Sequence, residues 1–255
     1  MPQIKRKEVV EYVEKNISSF HQARFNSLER LKLKNVLKRK NPYLFKAKNI
    51  LTAQDLMKAI LDAHLSSQEE TLFGEFLEGL AIYVCQTVYQ GYKSASAGID
   101  LEVEKDSIRY IVSIKSGPNW GNSEQIKKMK ENFRSAMKTL RTSNSKINVI
   151  AINGCCYGRD NNPQKSEYVK LCGQRFWEFI SGDNLLYLDI IEPLGHKAKE
   201  KNEIFFESYA QILNKFTLEF MNEFCVNGII NWNKLLQFNS SAEVPPRKIS
   251  KNTSP

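Results

Sequence analysis

The stretch from Gly98 to Gly117, GIDLEVEKDSIRYIVSIKSG, decides how this chain is read. Two alternating runs, Ile99 to Glu104 and Ile108 to Lys115, flank the short polar segment Lys105-Asp106-Ser107, a pattern that predicts an antiparallel hairpin. Side chains alternate across a strand, so Asp100, Glu102 and Glu104 share one face of the first run while Ile99, Leu101 and Val103 share the other. In the second run Ile111, Ser113 and Lys115 alternate with Tyr110, Val112 and Ile114. Pairing through the turn brings Asp100 within reach of Ser113 and Lys115. A carboxylate and an ammonium then project from neighbouring strand ends, where α/β folds place their sites. The plain alternative is a salt bridge on an exposed sheet face.

On the N-terminal side, residues 1–66 read as a basic helical extension. Helical periodicity runs through VVEYVEKNISSFHQARFNSLERL and again through LTAQDLMKAILDAHL. Between them RLKLKNVLKRKNPYLFKAKN carries eight basic residues and no acid, among them Lys38, Arg39 and Lys40. That stretch is a candidate phosphate-contacting surface, with a solvated helix face as the alternative. A further helix is expected to begin near Ser67, where SSQEE supplies a cap and first-turn acids, and to end at Gly91.

On the C-terminal side the sequence predicts a polar helix (SEQIKKMKENFRSAMKTLRTS), an apolar strand (INVIAING) and a loop (GCCYGRDNNPQKS). A helix over LCGQRFWEFISG, an apolar segment (NLLYLDIIEPLG) and a long helix over IFFESYAQILNKFTLEFMNEF follow. The order describes an α/β core with a mixed central sheet flanked by helices over residues 67–235, with a disordered tail over 236–255.

With 37 Lys+Arg against 28 Asp+Glu the formal charge is +9, which favours an anionic partner. No apolar run is long enough to span a membrane and no signal peptide opens the sequence, so the expectation is a soluble cytoplasmic protein without a membrane partner. Five cysteines, an odd number, argue for reduced thiols. The adjacent pair Cys155-Cys156, with Cys172 and His196 beyond it, lacks the two-to-four-residue loops of zinc sites.

The segment GIDLEVEKDSIRYIVSIKSGPNWGNSEQIKK resembles the catalytic core of the PD-(D/E)XK nuclease superfamily, and particularly its type II restriction endonucleases. In that family an Asp opens one strand, a second strand carries an acid-x-Lys triplet, and a helix with a Glu precedes both. Asp100 matches the first acid and Lys115 the lysine, while the preceding helix offers Glu75 and Glu78. The triplet here reads Ser113-Ile114-Lys115, so a hydroxyl stands where a metal-binding carboxylate is usual. The resemblance implies that the missing acid comes from elsewhere. Glu78, within Gly74-Glu75-Phe76-Leu77-Glu78, is preferred, with Glu75 and Glu102 as the other candidates. Acids on the polar side of an amphipathic helix also need no function at all. The run CCYGRDNNPQKSEYVKLCGQRFWEFISG is also similar to these enzymes, with no role carried over.

What the resemblance implies is Mg2+-dependent hydrolysis of both strands of a short specific sequence in double-stranded DNA. It further implies a homodimer and a cognate DNA methyltransferase in the same restriction-modification system. Lys127, Lys128 and Arg134 on the helix after the hairpin are candidate DNA contacts. Asn119, Trp120 and Asn122 are candidates for contacting base edges, with helix capping as the alternative for such amides. Three other readings stand beside this one: a catalytically inactive DNA-binding protein with a nuclease fold, a repair or RNA-processing nuclease, and a protein-interaction domain.

Overall fold

In the computed structural model the described residues are 4–143 and 146–242. They divide into two compact units, one of residues 4–24 and 69–202, the other of residues 25–68 and 203–242. The chain runs α1 (Arg6–Glu29), α2 (Leu33–Lys38), α3 (Pro42–Ala47), α4 (Ala53–Tyr89), β1 (Tyr92–Lys93), β2 (Leu101–Lys105), β3 (Ile108–Lys115), α5 (Ser123–Ser143), β4 (Asn148–Cys155) and β5 (Val169–Cys172). It continues with α6 (Gln174–Ser181), α7 (Leu186–Asp189), α8 (Ile191–Leu194), α9 (Ala198–Phe224), β6 (Cys225–Val226), β7 (Ile229–Ile230) and α10 (Trp232–Ser240).

The first unit is built on a five-stranded sheet of order β1-β2-β3-β4-β5. β1, β2 and β3 pair antiparallel, and β3, β4 and β5 pair parallel, giving the mixed sheet expected from the sequence. Period-two alternation assigns the two faces. Leu101, Val103, Val112, Ile114 and Ile152 pack with Val9, Val13 and Ile17 of α1 and with Leu77, Leu80 and Val84 of α4. On the other face Ile111, Val149 and Ala151 pack with Met129, Phe133 and Ala136 of α5, whose i, i+4 and i+7 spacing supplies one apolar stripe.

The hairpin forms as predicted but turns one residue tighter. Lys105 pairs with Ile108, so the loop is Asp106-Ser107 alone, both with positive φ (51° and 62°). Two left-handed residues give a two-residue turn the twist that matches its flanking strands.

Other expectations are corrected. No helix begins at Ser67, because α4 is continuous over 37 residues. Apolar residues at helical spacing lie on both sides of Ser66-Ser67, and serine inside a helix costs only a few tenths of a kcal/mol, so the apparent cap is overridden. The helix expected from Leu171 begins at Gln174, since Val169–Cys172 form β5 against β4 and Gly173, with φ +55°, breaks the chain between them. The tail expected to be disordered from 236 is helical through Ser240, where Asn239 donates to the carbonyls of Leu37 and Lys40. Residues 243–255 lie outside the described residues.

The second unit has its own core, in which Leu56, Met57 and Leu61 of α4 meet Phe216, Phe220 and Phe224 of α9. The basic stretch forms α2 and α3, the latter capped by Asn41, whose side chain accepts from the N–H of Tyr43 and Leu44. Among the described residues no helix is long and apolar enough to cross a membrane.

Phe133 is 1% exposed between α5 and the sheet. Phe133→Ala is expected to cost about 3–5 kcal/mol in urea unfolding, against less than about 0.5 kcal/mol for exposed Lys127→Ala. Equal costs would show that α5 does not anchor the sheet.

Candidate active site

Leu101 pairs with Val112, which places Asp100 one step beyond, across from Ser113, and the Asp100 N–H donates to the Val112 carbonyl at 2.9 Å. The Asp100 carboxylate accepts from the backbone N–H of Ile114 at 2.6 Å and from the Ser113 hydroxyl at 3.5 Å. The Lys115 ammonium lies 3.7 Å from the same carboxylate and donates to the Ile114 carbonyl at 2.8 Å. Asp100, Ser113 and Lys115 therefore meet, as the alternation of the two strands requires.

Glu78 of α4 joins them electrostatically. Burial first, and then the Asp100 carboxylate, push its carboxyl above the ordinary 4.5, with Lys93 and Lys115 opposing and Glu75 adding a smaller upward push. The Lys93 ammonium is 3.9 Å from Glu78. α4 comes close to the strand end because Gly74 has no side chain there: a Cβ at that position would stand 2.7 Å from the Ser116 hydroxyl. The Cys156 thiol lies in the same field, driven up to about 12 by burial, with Glu78 adding to the shift and Lys115 opposing it.

Glu102 and Glu75 are placed differently. Glu102 is 5% exposed, and its carboxylate accepts from Ser94 at 2.6 Å and Tyr92 at 3.1 Å and pairs with Arg109 at 3.4 Å. Those three partners fix it within the β1–β2–β3 edge of the sheet. Glu75 is exposed. Among the described residues no three His, Cys, Asp or Glu side chains form a metal-binding group.

Asn153 is a participant that reading the sequence for charged groups passed over. It is 1% exposed, pairs in register with Ser113, donates to the Ser113 carbonyl at 3.2 Å and accepts from the Trp120 indole N–H at 3.2 Å. Trp120 in turn lies beside the Lys115 ammonium, 5.4 Å from ring centroid to nitrogen. A lone amide inside the apolar strand INVIAING was the available signal, since a buried polar side chain needs partners.

The candidate DNA contacts fall into three groups. Asn122 is a helix cap: its side chain accepts from the Gln125 N–H while Gln125 accepts from the Asn122 N–H. Asn119 is exposed beside it. On α5, Lys127 and Lys128 are exposed, and Arg134 pairs with Glu167 at 2.6 Å. Lys38, Arg39 and Lys40 belong to the second unit, where Lys38 lies over Phe238 and Lys40 donates to the Ala63 carbonyl. Cys155 and Cys172 stand opposite each other on β4 and β5, and all five cysteines are free thiols.

The arrangement offers a divalent cation the carboxylates of Asp100 and Glu78, while the Ile114 carbonyl is taken by the Lys115 ammonium. Glu78 is pushed upward by burial first and by Asp100 second, and a cation beside both carboxylates would oppose each of these effects. All of these donors are oxygens, which suits a hard ion.

The family model described as type II restriction endonuclease EcoO109I matches residues 7–202, well over half of the chain and the whole of the hairpin site. No curated protein matches the chain.

The raised Glu78 carboxyl carries a sign that can be measured. Because its native value lies above its unfolded one, the native state holds that proton more tightly, and stability falls as pH rises from about 4.5 through the native value. Relative to Glu78→Gln, wild-type protein is therefore expected to lose stability across that window in urea titrations at stepped pH. A constant difference between the two would contradict the placement.

Proposed function

Because the chain belongs to the type II restriction endonuclease EcoO109I family, we propose that it hydrolyses both strands of a short specific sequence in double-stranded DNA, with Mg2+ held by Asp100 and Glu78. The observation that carries this reading is the Asp100–Lys115 pair, 3.7 Å apart at the ends of adjacent strands.

When bound, the cation supplies charge neutralisation at the phosphate and lowers the pKa of an attacking water. Asp100 is oriented for that work by the Ile114 N–H and the Ser113 hydroxyl, so its carboxylate needs no reorganisation on binding. Lys115 places a positive charge where the phosphate oxygens become more negative, and holds the water by hydrogen bonding. Trp120, fixed by Asn153, limits where the Lys115 ammonium can move. In the hydrolysis one water oxygen bonds to phosphorus, one ester P–O bond breaks, and the water's proton ends on the leaving oxygen.

Ser113 serves as a donor to Asp100, and Glu78 supplies the second carboxylate in place of the acid missing from the triplet. Symmetric cutting of both strands requires two copies of the site, so the active form is a homodimer. A cognate methyltransferase protects the same sequence in the host cytoplasm. Basic residues on α5, Lys127 and Lys128 first, contact phosphates and position the duplex.

Incubation of the purified chain with unmethylated plasmid DNA tests the reading. Discrete fragments that need Mg2+, disappear with chelator and are lost by at least about 100-fold in Asp100→Ala and Lys115→Ala are expected. Intact DNA with a retained mobility shift would instead favour the catalytically inactive binder, with Ser113 as the reason. Cleavage of branched, single-stranded or RNA substrates without fixed sequence would favour a repair or processing nuclease.

A further inference from the structure

We propose that Arg159 and Arg175 read guanine edges in the bound duplex and so set the sequence specificity; this rests on the DNA-directed reading above. Both stand at the carboxyl end of the parallel strands, Arg159 in the loop after β4 and Arg175 at the start of α6 after β5. They border a cavity of about 550 Å3 whose lining includes Tyr157, Asn161, Gln174 and Tyr187.

The loop that carries Arg159 is held from several sides. The N–H groups of Cys156 and Tyr157 donate to the carbonyls of Lys115 and Ser116. Gly158, with φ +87°, packs so tightly on Pro118 that a Cβ would come within 2.5 Å of its ring. Just beyond Arg159, Asp160 is fixed by Lys165 at 3.1 Å and Lys170 at 3.5 Å, while Lys170 also donates to the Pro118 carbonyl. Burial pushes the Asp160 carboxyl up, but the Asn162 N–H and the two lysines together hold it below its ordinary value.

Against this bracing, the guanidinium groups of Arg159 and Arg175 are exposed and have no hydrogen-bond or ion-pair partner among the described residues. The braced loop fixes the point from which the Arg159 side chain extends, α6 does the same for Arg175, and both planar forks keep their donors free for a ligand. The surroundings favour bases over phosphates. Two exposed tyrosines and two amides border the cavity beside the arginines, while the neighbouring ammonium groups of Lys165 and Lys170 are already paired with Asp160.

Distance agrees. Three residues of chain span at most about 10 Å, so the Arg159 backbone lies within about three base steps of 3.4 Å from Cys156, whose N–H donates to the Lys115 carbonyl at 2.9 Å. Bidentate pairing of arginine with guanine O6 and N7 is the strongest common base contact.

The test is selection of bound sequences from randomised duplexes in calcium buffer, which needs no cleavage, using wild-type, Arg159→Ala, Arg159→Lys and Arg175→Ala full-length proteins with circular dichroism as the folding control. Wild type is expected to enrich a guanine-containing sequence. Each Ala variant is expected to lose preference at its own guanine by roughly 10- to 100-fold, with Arg159→Lys retaining part of it. The proposal is overturned if wild type enriches no sequence, or if the variants enrich the wild-type sequence. It is equally overturned if they weaken binding uniformly with a salt dependence reduced by about one phosphate contact. Failure of the nuclease reading would appear separately, as absent cleavage beside intact selection.

Discussion

Everything at this site depends on the register between β2 and β3. The two-residue turn at Asp106-Ser107 pairs Lys105 with Ile108 and carries that pairing to the far end, where Asp100 faces Ser113 and accepts from the Ile114 N–H. A slip of one residue would turn every side chain of one strand to the opposite face. Asp100 would then leave Lys115, and Leu101 and Val103 would leave the core. The apolar faces therefore enforce the polar geometry. Val112 and Ile114 are held against α1 and α4 and Ile111 against α5, which fixes the face on which Ser113 and Lys115 stand.

The second constraint is electrostatic. Two carboxylates and two ammonium groups, Asp100, Glu78, Lys93 and Lys115, are drawn together where α4 meets the strand end. The lysines balance the acids only in part, because partial burial disfavours charge on Glu78 and Asp100 disfavours it further. Partial burial together with a specific charged neighbour is the combination that marks a carboxyl as a functional-site candidate. Ser113, 2% exposed, adds a hydroxyl to Asp100 without adding a third negative charge beside it.

Much of this was legible in the sequence because it rests on period-two alternation. The hairpin, the two faces of β3 and the meeting of Asp100 with Lys115 follow from which residues are i and i+2. What depended on tertiary contact was hidden. β5 is four residues long and exists because β4 offers it a parallel edge. α4 runs through an apparent cap at Ser66-Ser67 because helical packing continues on both sides of it. Glu102 looked equivalent to Asp100 by alternation, yet β1, a two-residue strand without a signal of its own, brings Tyr92 beside it, with Ser94 just beyond, and removes it from the site. One feature was visible and overlooked: Asn227-Gly228 between apolar residues is a strong hairpin turn, and it joins β6 to β7.

The claim that Glu78 stands in for the acid missing at Ser113 is the one on which the chemistry turns. It is tested most directly by the magnesium dependence of cleavage in Glu78→Gln beside Glu75→Gln and Glu102→Gln. The account predicts that Glu78→Gln alone raises the half-saturating magnesium concentration by about tenfold or more, the equivalent of roughly 1.4 kcal/mol in cation affinity, and lowers the saturated rate. An unchanged magnesium dependence in Glu78→Gln, or the same shift appearing in Glu102→Gln instead, would contradict it.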